Sequence, residues 1–134
     1  MATIQKEFEV PASADAVWAA LRDFGAVQRL APGFVTGCVS EDGGAVRVVS
    51  FFNGLQVRER LVTLDDAARR IVYTAFGGRT THHNASVLVV PLGDDRCRFV
   101  WTTDLLPDTL APAMAQMMER GAEAMRSALT PPVR

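Results

Sequence analysis

The sequence predicts an α+β fold: a curved seven-stranded antiparallel sheet around one long C-terminal helix, with one or two short helices after the first strand. Three observations predict it. An alternating strand pattern is followed at once by a capped helix. Six β-rich runs then succeed one another with only short turn clusters between them. The last element is helical, with one broad apolar stripe.

Residues 3–10 place Ile4, Lys6, Phe8 and Val10 on one side and Gln5, Glu7 and Glu9 on the other. That is the period of two that a half-buried strand shows. Pro11 stops it. Ser13 is a good helix N-cap, and Asp15 in the first turn complements the helix dipole. Val17, Leu21 and Phe24 fall at i, i+4 and i+7, so about 14–24 forms an amphipathic helix that ends at Gly25. One more short helical turn is expected from Ala26 to Leu30, before Pro32.

From residue 33 the period changes. Runs at 34–40, 45–52, 55–64, 70–76, 81–92 and 96–105 are β-rich. Turn clusters separate them, among them Asp42-Gly43-Gly44, Asn53-Gly54, Asp65-Asp66 and Gly77-Gly78. Connections this short imply an antiparallel meander and not βαβ units. In the final helix Asp108 or a neighbour is the expected cap, and Pro112 is tolerated in the first turn. Leu110, Met114, Met117, Met118, Gly121 and Met125 make its stripe, opposite Glu119, Arg120, Glu123 and Arg126. One helix cannot cover a broad flat sheet, so the sheet must bend around it. The space between them is a candidate cavity.

At 134 residues the chain reads as one domain, 1–134. With 49% hydrophobic residues it can bury a real core. A net charge of −1 and scattered Lys and Arg give no sign of nucleic-acid binding. No apolar run reaches the roughly 20 residues of a membrane span, so no stable membrane insertion is expected. Cys38 and Cys97 read as free thiols, and with no signal peptide a cytoplasmic location is expected. His82 and His83 are adjacent on a strand and point to opposite faces, so they cannot chelate one ion together. Gly77-Gly78 and Gly43-Gly44 lack the strand–loop–helix context of a phosphate loop. No metal and no cofactor is expected. Whether the chain is a monomer or a homodimer is not legible.

The most informative residue is Glu59. Alternation places it with Leu55, Val57 and Leu61, opposite Gln56, Arg58 and Arg60. A carboxylate aimed at an apolar side is costly unless paired or protonated. It is either a ligand anchor or acid/base group, or half of an internal ion pair, with Arg47 as a partner, or a residue near an open rim. Arg47 shares a face with Val49 and Phe51; turned inward, it suits bidentate binding of an oxyanion, and on an edge strand it faces solvent. His82, Asn84 and Ser86 share one face and form a candidate polar stripe of the pocket, or are ordinary satisfied polar residues near a strand end. Tyr73, in the run 70–76, is counted as a pocket residue. Phe99 and Trp101 share a face with Cys97 and Thr103, where core and pocket wall are the same surface. Met114, Met117 and Met118, beside Gly121, supply soft, adaptable lining or plain core.

The order and spacing of Val10-Pro11-Ala12-Ser13-Ala14-Asp15-Ala16-Val17-Trp18, Leu21-Arg22-Asp23-Phe24, Glu59-Arg60-Leu61-Val62-Thr63-Leu64-Asp65-Asp66 and the terminal helix resemble the START/Bet v 1-like (SRPBCC) superfamily. Within it the chain is similar to the polyketide cyclase/dehydrase and lipid transport family, and there it resembles the plant abscisic-acid receptors. That resemblance implies the helix-grip fold. It also places Arg47, Glu59, Asn84 and Ser86 on inward pocket positions, and Asn53-Gly54-Leu55-Gln56 on a gate loop. Thr36 falls where those receptors carry an inward lysine, Gln56 replaces the gate proline, and Arg79-Thr80-Thr81 replaces a His-Arg-Leu latch.

Such proteins include binders, lipid carriers and enzymes, so fold alone does not choose. The first expectation is binding or transport of a small hydrophobic molecule (lipid, isoprenoid or aromatic/polyketide-like) in the cavity between sheet and C-terminal helix. The alternative is a cyclase, dehydratase or aromatase in which Glu59 is the general acid or base. A third is an interaction module built on the Gly54-Leu55 loop.

Overall fold

A computed structural model describes residues 1–132. Strand β1 (Ala2–Val10) leads into α1 (Ala14–Arg22), a 3₁₀ turn (Phe24–Ala26) and the single-turn α2 (Val27–Leu30). Then come β2 (Val35–Glu41), β3 (Val46–Phe51), β4 (Gln56–Asp65), β5 (Arg70–Phe76), β6 (His82–Pro91) and β7 (Cys97–Leu106). The long helix α3 spans Ala111–Leu129. The sheet order is β1-β7-β6-β5-β4-β3-β2, antiparallel throughout. The helix-grip arrangement expected from the sequence is the one observed. The segment α1–α2 carries the chain from one sheet edge, β1, to the other, β2.

Local chemistry explains each element. The Ser13 hydroxyl accepts a hydrogen bond from Ala16 N at 3.1 Å, which satisfies an otherwise orphan donor of α1. Helix α1 buries Ala14, Val17, Trp18 and Leu21. Its outer side is tied to the β4–β5 turn: Trp18 Nε1 and Arg22 Nε both donate to Asp66 Oδ1 at 2.8 Å. These donors, Arg22 foremost, hold the Asp66 carboxyl below its usual range.

Two register irregularities help the sheet to bend, one at Val35/Gly37 and one at Leu61/Thr63. At the second, Val62 is the extra residue and lies exposed, while Leu61 and Leu64 both pack on the core. Asp108 does not cap α3. It opens a 3₁₀ turn (Asp108–Leu110) that feeds the helix directly, and no side chain caps the entry. Pro112 sits in the first turn, where its missing N–H has no partner to lose.

The interior has two halves. One is solid: Phe8 and Phe99 stack with centroids 4.8 Å apart, and Val10, Val17 of α1, Val89 and Cys97 are buried in the same core. Helix α3 packs along β1, and at Gly121 it comes close to side chains of the sheet and of the segment before β2. A Cβ there would lie 3.0 Å from Phe34 and 3.1 Å from Trp101. Around that contact the sheet and α3 leave a cavity.

Candidate functional site

The cavity measures about 590 Å³. Its walls come from β3 to β7, from α2 with the Phe34-Val35 segment, and from one face of α3. Valines, Phe51, Trp101 and the methionines Met114, Met117, Met118 and Met125 make most of the lining apolar. Exposed members mark the open end: Leu55 on the β3–β4 turn, Phe76 at the end of β5, and Gly77 to Arg79 on the β5–β6 loop. Asn53 Oδ1 accepts from Leu55 N at 3.1 Å, and Gly54 takes a left-handed φ of 85°, so this turn has a defined shape.

A row of residues crosses the sheet beneath the cavity. Arg47 on β3 stands opposite Glu59 on β4, and Glu59 opposite Ala75 on β5. Ala75 N then donates to His83 Nδ1 on β6 at 2.9 Å. Arg47 Nε donates to Glu59 Oε1 at 2.8 Å, and Nη1 to the carbonyl of Phe24 at 3.0 Å. The guanidinium carbon also lies 3.9 Å from the Phe24 ring centroid and 4.9 Å from that of Tyr73. Both charges are buried, Arg47 at 7% exposure and Glu59 at 9%. Such a pair is tolerated because each partner satisfies the other.

Glu59 Oε2, Arg47 Nη2 and His83 Nε2 make no hydrogen bond within the described residues. The polar side-chain atom that is both fully buried and unpartnered there is Gln28 Oε1. The other three atoms therefore reach open space, and their residues all line the cavity. Tyr73 OH accepts from Trp101 Nε1 at 3.1 Å. Burial, then the charge of Glu59, push the Tyr73 phenol far above its ordinary range. Burial pushes the His83 imidazole below its ordinary value, against an opposing pull from Glu59. The site thus holds one ion pair, one neutral phenol and one neutral imidazole.

Of the residues singled out from sequence, Arg47, Val49, Phe51, Leu55, Val57, Glu59, Tyr73, Trp101, Met114, Met117, Met118 and Gly121 all line the cavity. Six do not. His82, Asn84 and Ser86 lie on the outer face of β6, because the inward set is His83, Ala85, Val87 and Val89. Thr36 is exposed and donates to Ser50 O at 3.2 Å, where the β2 register shifts; Phe34 and Val35 turn inward instead. Phe99 is wholly buried in the solid half, two residues short of the cavity. Leu61 packs at the core margin. The cavity residues that the sequence reading left out include His83, Thr103, Phe34 and Ala75. For His83 a signal existed: Asn84 and Ser86 make the even-numbered face the more polar one, which belongs in solvent. Among the described residues no group of three or more His, Cys, Asp or Glu is placed to hold a metal ion, and no helix is long and apolar enough to cross a membrane.

A family model described as polyketide cyclase/dehydrase and lipid transport matches residues 1–130. Among solved structures, a Thermobifida fusca protein determined by solution NMR is 30% identical, with 94% of this chain and 91% of that chain covered and a TM-score of 0.78. A norcoclaurine synthase point mutant from Thalictrum flavum, in complex with a transition-state analogue, is 22% identical over 96% of this chain and 93% of that one, at TM-score 0.74. A START superfamily protein from Mycobacterium smegmatis is 18% identical over 95% and 96%, at TM-score 0.71. The last two show a shared fold. No curated protein matches the chain. With nearly its whole length matched, this chain belongs to the polyketide cyclase/dehydrase and lipid transport family.

Proposed function

We propose that the chain, acting as a single domain, binds and carries one small hydrophobic molecule in the cavity between sheet and α3. The observation that supports this most is the cavity itself: about 590 Å³, largely apolar, with a few convergent polar groups. Small-molecule sites fall at roughly 300–1,000 Å³ with this division of labour, in which apolar walls supply burial and polar groups fix orientation. The test is mass spectrometry of the purified protein, native and then denatured, followed by thermal shift with a hydrophobic ligand panel. A co-purifying lipid, isoprenoid or aromatic, or a saturable shift, is expected. A clean apo mass together with no shift across the panel overturns the reading.

A second reading is cofactor-independent catalysis of the cyclase or dehydratase type. What favours it is the free Glu59 Oε2 facing the same cavity as His83. A carboxylate with one lone oxygen can take a proton from a substrate held in reach. Glu59→Gln separates the two readings. A catalyst loses turnover and keeps binding; a carrier loses affinity by about 1–3 kcal/mol, the usual range for a hydrogen bond to a charged group.

A further inference from the structure

We propose that the cavity selects a neutral oxygen head group, a ketone or hydroxyl on an apolar skeleton, and discriminates against carboxylates. This rests on the cavity-binding reading above and adds the chemistry of the ligand.

The hydrogen-bond directions carry the argument. A backbone N–H can only donate, so the bond from Ala75 N fixes His83 Nδ1 as the acceptor. The ring's one proton, in the neutral form that burial favours, is therefore on Nε2. Indole N–H likewise only donates, so Tyr73 oxygen accepts from Trp101, and the phenol proton has no acceptor among the described residues. Arg47 Nη2 is a third donor without a partner there. Glu59 Oε2 is the one strong acceptor of the set. A carbonyl oxygen takes two of these donors; a hydroxyl takes one or two and returns its proton to Glu59.

Charge excludes the carboxylate. Arg47 is already neutralised by Glu59 at 2.8 Å, so the inner end carries no net positive charge. A carboxylate entering it sheds its hydration beside a second carboxylate, which is costly without a free cation. The other lining arginines do not supply a free cation at the inner end. Arg58 is paired with Glu41, and Arg79 is exposed. Ala75, with only a methyl group between Glu59 and His83, leaves room for the head group between the two strands flanking it.

The test uses four probes on one fluorescent skeleton: dimethylaminonaphthalene, its ethyl ketone, the corresponding alcohol, and dimethylaminonaphthoic acid, each titrated into the full chain. Ketone and alcohol are expected to bind about tenfold tighter than the parent and the acid, consistent with one or two net hydrogen bonds. The bound ketone should emit to the red of its emission in hexane, as a hydrogen-bonded carbonyl does. Tyr73→Phe should lower ketone affinity several-fold more than it lowers affinity for the parent. Parity or preference for the acid, or ketone emission matching hexane, overturns the proposal while parent binding keeps the cavity reading. If none of the four binds, parent included, the cavity reading falls and this falls with it. The emission readout needs no variant, so a Tyr73→Phe chain that fails to fold leaves the test decisive.

Discussion

Arg47 and Glu59 are each affordable in the interior only because the other is there. Removing one partner leaves an uncompensated buried charge, which costs roughly 3–5 kcal/mol. Arg47→Ala is expected to lose about that much in urea denaturation. Replacing both, as Arg47→Met with Glu59→Leu, should recover most of it, and an additive double mutant would contradict the coupling. His83 makes a second prediction, in pH. Its folded value is depressed, by burial first and then by His82, against Glu59. The unfolded chain therefore binds the proton more readily. Its contribution is complete above the unfolded value of about 6.5 and is lost as pH falls through the folded value. Stability measured from pH 7.5 downward should decline in that window. His83→Gln, which keeps an acceptor for Ala75 N, should flatten the decline; an unchanged slope would remove His83 as its source. At this scale the sequence was half legible. Strict alternation in β4 fixes Glu59, because Gln56, Arg58 and Arg60 admit no other assignment. In β6 the terminal valines and Leu88 make both faces apolar, so alternation alone chose the wrong histidine.

At the scale of elements, Gly121 shows how α3 sits on the sheet. In an exposed helix, Gly→Ala stabilises by up to about 1 kcal/mol. Here the added Cβ meets Phe34 at 3.0 Å and Trp101 at 3.1 Å. Trp101 is held by its bond to Tyr73, and Phe34 packs edge-on against Phe51 at a centroid distance of 5.2 Å, so neither yields easily. Overpacking of this kind costs about 1–3 kcal/mol. Gly121→Ala should therefore be net destabilising in urea denaturation, and it should weaken ligand binding because all three residues line the cavity. A stabilised variant would show that α3 can lift off the sheet. The elements themselves were readable because their punctuation is local: Pro11, Ser13, Asn53-Gly54 and the glycine turns are short-range signals. The bulge at Val62 and the uncapped 3₁₀ entry to α3 were not, since both follow from long-range pairing and packing.

For the molecule as a whole, the sequence implied a space between bent sheet and helix without showing where solid core gives way to cavity. Phe99 and Trp101 share one strand face, yet only Trp101 opens on the cavity, while Phe99 is wholly buried in the core. That boundary is set by how helices distribute over a curved sheet, which no single-strand pattern records. It can be moved by design. Ala75 lies where the row from Arg47 to His83 leaves its gap, with cavity beside it. Ala75→Leu grows into open space and not into packed atoms, so it adds buried apolar surface at about 25 cal/mol per Å² without the overpacking penalty. The variant should fold with stability equal to or above the parent chain. Ligand stabilisation should vanish with it: a ligand at a hundred times its Kd contributes about 2.7 kcal/mol to the parent chain and should contribute nothing to the filled one. Thermal shift on both chains with one ligand measures this. A shift that survives Ala75→Leu would move the ligand out of this end of the cavity and detach its head group from Glu59 and His83.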